Sequence, residues 1–262
     1  MVDTALLNWT LNQFLSLVII ITRVGPLVFF MPVLGSRSVP GKVKALFTLL
    51  ISLVLMPAVD VNPSELPVTV LGFVLFTANE IAFGATLALF TRFVFAAAEI
   101  AGQMVGVQMG MGMAAAMDPE FGTQVPLIGQ LLNLVAILLF LSVNGHHIFF
   151  QTLVESFNWV QPGKLHLTDA TYQGMMRGAV HMFVLSVKIM APASAVLIFS
   201  HVAMGIVAKT VPQIPILIVG MPLNISLGLI FVGLSFGFFL PIMVRNFDML
   251  GRLLTRMAMG MG

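Results

Sequence analysis

The chain has no cysteine in its 262 residues. That excludes disulfides, thiolate zinc sites, iron–sulfur clusters and a cysteine nucleophile. Charge is also scarce. Only 8% of residues are Asp, Glu, Lys or Arg, against about 25% in typical soluble domains. A soluble fold with so few charges would struggle to cover its own surface. The net charge is only +2 and the basic residues are scattered, whereas nucleic acid calls for a clustered basic surface. Nucleic-acid binding is set aside. Catalytic signatures are missing too. There is no G-x-S-x-G, no Walker A and no G-x-G-x-x-G in a strand–helix setting. Nothing nominates an enzyme or a cofactor. The start, "MVDTALLNWT", holds acidic Asp3 and no basic residue. A secretory signal has a positive n-region and a small-residue cleavage site, so the first helix is expected to be retained.

What the chain does have is apolar length. Hydrophobic residues make up 59% of it. A spanning helix needs roughly 20 mostly apolar residues. Candidates are Phe14–Met31, Ala45–Val59, Leu66–Phe90, Pro126–Val143, Met182–Val207 and Leu223–Val244, with further helical pieces at Phe93–Val107 and His147–Val160. The reading is an all-α integral membrane protein in contact with lipid. No linker or shift in composition divides it, so residues 1–262 are read as one domain. Arg37, Lys42 and Lys44, then Arg245, Arg252 and Arg256, are the basic groups beside apolar runs. The positive-inside rule places both groups in the cytoplasm, with the N-terminus outside. That rule assumes that every apolar segment spans. Pro192, Pro212, Pro215 and Pro222 each remove a backbone donor and kink or end a helix. Broken and kinked helices are expected in place of straight rods.

Ionisable groups inside apolar runs face protein or a cavity. Arg23, Glu80, Glu99, Lys188 and Lys209 qualify. Each either pairs with a neighbour or snorkels, or else lines a polar path or meets another subunit. Gly102, Gly106 and Gly110 recur every four residues, with Ala98 extending the row. On a helix they form one narrow face that admits another backbone. That neighbour could belong to this chain or to a partner. Gln103 and Gln108 beside this face need hydrogen-bond partners if buried.

The row then runs into "QMGMGMAAAMDPEFG", Gln108 to Gly122. Gly110 and Gly112 each disfavour helix by about 1 kcal/mol relative to Ala, and Pro119 restricts Asp118. The segment reads as a helix end followed by a loop. An exposed loop gains nothing from Met109, Met111, Met113 and Met117. Irregular backbone at membrane depth survives only when buried in protein or lining a cavity. Thioethers can bind copper(I), but the chain has no cysteine and its other methionines are scattered. Flexible methionines suit a deformable constriction better. His146-His147 in "NGHH" point about 100° apart on a helix and lack a second ligand pair, so they read as a turn and helix start.

These residues resemble a known family, the FliR family of type III export-gate proteins. The resemblance runs nearly end to end. It rests on "RVGPLVFFMPVLGSRSVPGKVK" (Arg23 to Lys44), "EIAGQMVGVQMGMGMAAAMDP" (Glu99 to Pro119), "NGHHIFFQTLVESF" (Asn144 to Phe157), Ala191-Pro192, "VPQ" and "GMPLNISLGL" (through Leu229). It implies a helical export gate, assembled with FliP-type and FliQ-type subunits in the inner membrane at the flagellar basal body. Unfolded flagellar proteins would be its substrates. It implies that a loop of about Gly106 to Gly122 plugs the gate. Gln108, Met109, Gly110, Met111, Gly112, Met113, Met117, Asp118 and Pro119 would form that plug. Arg23, Glu99, Gly102, Gln103, Gly106, Pro212, Gln213 and Pro222 would serve helix packing and assembly. Two departures stand out. Met111 and Met113 replace bulkier aromatics, and Pro215 stands where Asn often follows the Pro-Gln pair. A rival reading from the same residues is an ion-coupled transporter of small solutes, using Arg23, Glu80, Glu99 and Lys188. A copper carrier would be a third.

Overall fold

The computed structural model describes residues 2–31, 35, 39–59, 61, 66–67, 69–111, 126–166, 168–213 and 216–261, with side chains omitted at 2–9 and 216–217. The described residues form seven long helices and no strand. They are α1 (Val2–Phe30), α2 (Gly41–Leu55), α3 (Val70–Gln108), α4 (Leu127–Ser142), α5 (Gly145–Trp159), α6 (Asp169–Thr210) and α7 (Ile216–Met259). Four of them are long and apolar enough to cross a membrane, or five spans if α4 and α5 count as one broken span. The chain is an all-α, multi-pass membrane protein.

Helix ends follow local chemistry. Pro40 and Pro126 stand immediately before α2 and α4, where a missing N–H is harmless. Asn144 adopts left-handed φ 54° between α4 and α5, so "NGHH" is the expected turn and helix start. Four helices outrun the apolar runs expected for them, α1 by starting at Val2 in place of Phe14. α3 joins the two expected pieces Leu66–Phe90 and Phe93–Val107 into one rod of 39 residues. The polar pair between them does not interrupt it: Thr91 donates back to the Leu87 carbonyl at 3.2 Å, and Arg92 is exposed. α6 and α7 reach 42 and 44 residues. At 1.5 Å per residue each is about 65 Å long, twice a hydrocarbon core of about 30 Å. Pro192 lies inside α6, Pro222 and Pro241 inside α7, and Pro26 inside α1. They therefore do not end them.

The contacts define two compact units. The first comprises residues 1–93, 144–178 and 248–262. Its core includes Ile19, Val24, Leu27, Phe83, Leu87, Leu153 and Leu254. The last turn of its chain is tied down by backbone: the His166 N–H donates to the Met261 carbonyl at 3.0 Å. The second unit comprises residues 94–143 and 179–247. Each of its helices contributes a stripe at three- and four-residue spacing. The stripes are Ala98, Ala101 and Val105 on α3, continued by Met109 just beyond it; Ile128, Leu132, Ala136 and Phe140 on α4; Leu185, Ile189, Ala193 and Leu197 on α6; and, on α7, Asn224, Gly228 and Val232, then, seven residues on, Phe239, Met243 and Phe247. Phe95, Phe140 and Phe247 form an aromatic triad with ring centroids 5.3–5.4 Å apart. The opposite face of α4 exposes Leu127, Leu131, Leu134, Leu138 and Leu141. A helix apolar on every side belongs in lipid or among other helices.

Candidate functional site

The sequence singled out two groups of residues, and the structure assigns them to different units. Arg23 and Glu80 belong to the first unit and are 0% and 2% exposed. Their partners are each other. Arg23 Nε and Nη2 donate to Glu80 Oε2 and Oε1 at 2.5 and 3.0 Å, a two-pronged pair of the kind guanidinium geometry favours. Nη1 donates to the carbonyls of Ser156 and Val160 at 3.1 and 3.0 Å. Ser156 is in the last turn of α5, and its carbonyl also accepts the Val160 N–H at 2.9 Å; Val160 follows the helix, where a carbonyl has no helical donor. Phe83 and Phe157 cover the guanidinium with centroids 4.7 and 4.3 Å away. Glu80 Oε1 also accepts the Gly163 N–H at 2.8 Å, and Asn79 Nδ2 donates to the Gly163 carbonyl at 2.9 Å. Gly163 has φ 76° and lies against the Phe76 ring. The turn Gln161-Pro162-Gly163-Lys164 closes with Lys164 N–H on the Gln161 carbonyl. The Pro-Gly pair was its signal, and sequence reading missed that Glu80 reads this turn.

The glycine face lies in the second unit. A Cβ on Gly102 would stand 2.6 Å from Gly129 Cα and N and from the Ile128 carbonyl. A Cβ on Gly129 would stand 2.9 Å from the Glu99 carbonyl. α3 and α4 thus meet backbone to backbone, and Gly102 is used for packing within the chain. Gly106 differs: among the described residues nothing lies within 4 Å of a Cβ there. Gln103 Nε2 donates to Glu99 Oε1 at 3.3 Å, one turn back. Lys188 and Lys209 are exposed.

α3 ends at Gln108, and Gly110 follows with φ 81°, near the expected break. Gln108 Oε1 is buried with no hydrogen-bond partner among the described residues. Met109 is fully buried in a cluster with Val105, Ile128, Ala193, Leu197 and Val232, and Met111 packs at its edge. The Met109 side chain fills the place where Gly228 lacks a Cβ. Gly129 and Gly228 were not singled out from sequence. Neither belongs to a visible small-residue repeat of the Gly102–Gly106 kind. Gly112, Met113, Met117, Asp118 and Pro119 lie outside the described residues. Pro212 and Gln213 form an exposed turn after α6, and Pro222 is exposed early in α7.

A family model described as bacterial export proteins, family 1, matches residues 14–250. Flagellar biosynthetic protein FliR of Bacillus subtilis (strain 168) is 30% identical over 228 residues, covering 86% of this chain and 87% of the relative. The chain belongs to the FliR family of bacterial export proteins. Two further FliR relatives are similar. That of Escherichia coli (strain K12) is 28% identical over 207 residues, 79% of this chain and 78% of its own length. That of Pectobacterium carotovorum subsp. carotovorum is 27% identical over 257 residues, 97% and 96%. The FliR match takes in both units, including the Arg23–Glu80 pair and the Gly102–Gly129 contact.

Proposed function

We propose that this FliR-family chain is a non-enzymatic component of the flagellar type III protein export gate, acting as one membrane domain over residues 1–262. It assembles with FliP-type and FliQ-type subunits at the basal body in the bacterial inner membrane. Its Met/Gly segment, from Gln108 to Pro119, closes the channel to unfolded flagellar proteins until export begins. The observation that carries this reading is the family match across residues 14–250. Two structural features support it. Helices about 65 Å long expose apolar side chains from Met176 to Ile206 on α6 and from Ile218 to Met249 on α7, about 45 Å of each helix and more than a bilayer of about 30 Å can cover. Gly106 is a small residue on the α3 face, and among the described residues nothing lies within 4 Å of a Cβ there, which suits a partner helix.

The small-solute transporter reading draws less support. Arg23 and Glu80 saturate each other inside the first unit, Glu99 is engaged with Gln103, and Lys188 is on the surface. The direct test removes the gene product and assays hook and filament proteins outside the cell. Export should stop, and normal export would refute the gate assignment. Deleting Gln108–Met117 in an assembled gate tests the closing segment. Small-ion leakage should rise, and wild-type leakage would end that part of the proposal.

A further inference from the structure

Gly228 is unlike Gly233 and Gly237, which follow it on α7. Among the described residues nothing lies within 4 Å of a would-be Cβ at those two. At Gly228 the space is filled by one side chain: Met109 Sδ and Cε stand 2.6 and 2.9 Å from that position, and Cγ stands closer still. Met109 is 0% exposed. Its neighbours Val105, Ile128, Ala193, Leu197 and Val232 come from four helices, so the methionine is held on every side. The next residue, Gly110, has left-handed φ 81° and, among the described residues, only Met221 Cγ near its would-be Cβ, at 4.0 Å. A tightly held side chain is thus followed at once by a backbone position that only glycine adopts easily.

We infer that Gly228 is a socket for Met109, and that this contact fixes the root of the Met/Gly segment. Met109 then belongs to the fixed wall, not to the part that yields. Gly228 is a positioning residue that acts through Met109. This inference rests on the closing-segment reading above and narrows it, since the seal would begin after Gly110. The physical basis is close packing. A side chain in a dense interior has no room to relocate without vacating its contacts, and one added methyl in such a core forces neighbours off their rotamers.

The absence of native cysteine makes a direct test clean. In a Met109→Cys/Gly228→Cys chain, the sulfur at 109 takes roughly the place of the methionine Cγ, beside the new Cβ at 228. That is within disulfide reach. Assembled gates in inverted membrane vesicles are oxidised or reduced, and export of a filament protein and potassium leakage are both read. The disulfide should form, leakage should stay low, and export should differ by less than about twofold between the two states, because the locked residues do not move. Export that stops on oxidation and returns on reduction would show that Met109 leaves the socket, and would overturn the inference. Failure of the disulfide to form would overturn the socket itself.

A second arm keeps a folding defect apart. Gly228→Ala should raise leakage per assembled gate about tenfold, the population change expected of an overpacked core. In a Met109→Ala background the same change should add less than about twofold, since coupled residues are non-additive. A full tenfold increment there would mean that Gly228 acts on something else. The closing-segment reading fails separately, if deletion of Gln108–Met117 leaves leakage unchanged. The disulfide would still report on the socket in that case.

Discussion

The two units are held by opposite devices. In the first, one buried arginine collects a carboxylate, two helix-end carbonyls and two aromatic faces. In the second, backbone meets backbone at Gly102 and Gly129, and a methionine fills a glycine at 228. A charge network is directional. It specifies which turn and which helix end meet, and it is costly to leave half-made. Small-residue packing is non-directional and depends on every atom being small enough. The first device tolerates little change in chemistry, the second little change in volume.

The largest effect should come from breaking the first device. Arg23→Ala leaves Glu80 buried without its counter-charge and takes one donor each from the carbonyls of Ser156 and Val160. Removing one partner of a buried pair destabilises by about 3–5 kcal/mol. Thermal unfolding in detergent should show it, along with loss of assembled protein. The double change Arg23→Met/Glu80→Leu should recover much of that loss, because it leaves no lone charge. If the double variant is as unstable as Arg23→Ala, the chief contribution is the hydrogen bonds to Ser156 and Val160 in place of charge pairing.

Next in size is a change of volume alone. Gly102→Ala adds one methyl, which would stand 2.6 Å from Gly129 backbone atoms. Backbone cannot rotate aside as a side chain can, so α3 and α4 must separate. Overpacking of this kind destabilises by about 1–3 kcal/mol. The same unfolding measurement checks it. A neutral Gly102→Ala would mean that the two helices are not in backbone contact.

These two devices were unequally legible in sequence. Gly102 and Gly106 announce themselves by four-residue spacing, and the end of α3 follows from Gly110. α4 falls within a residue of its expected bounds, because Pro126 and Asn144 punctuate it. The partners of Arg23 were not legible. Glu80 is 57 residues away, and Ser156 and Val160 are 133 and 137 away. Only the fold brings them together. Gly129 and Gly228 were hidden for a related reason: a lone glycine becomes informative only when the atom opposite is known. The true lengths of α6 and α7 were missed because apolar runs mark the part of a helix that meets apolar surroundings. Asp169, Gln173 and Arg177 at one end of α6 continue the helix beyond that limit, as do Arg252 and Arg256 in α7.

A smaller effect tests whether the second unit is held by volume only. Ser200 Oγ donates to Asn224 Oδ1 at 2.6 Å, with both residues buried. This is one of two side-chain hydrogen bonds between α6 and α7 among the described residues of the unit, the other joining His181 Nε2 and Asn246 Oδ1 at 2.6 Å. Ser200→Ala should destabilise by about 1 kcal/mol, since interhelical bonds in membrane proteins contribute modestly. A loss as large as that of Arg23→Ala would erase the contrast between the units.

The smallest effect on the chain itself should come from Gly106→Ala, and it is the most informative. Among the described residues a Cβ there meets nothing within 4 Å, so no contact with them opposes it. Alanine also favours helix over glycine by about 1 kcal/mol. The isolated chain should therefore unfold at the same temperature or slightly higher. Gly102→Ala and Gly106→Ala lie one turn apart on α3 and add the same methyl, so propensity cancels between them. If the open side of Gly106 receives a helix from another subunit, the methyl instead obstructs a close approach. Assembled gate, measured by co-purification with FliP-type and FliQ-type subunits, should then fall although the chain is stable. Gly102→Ala would lower both. Unchanged assembly for Gly106→Ala would place that glycine toward lipid and confine the small-residue device to the interior of the chain.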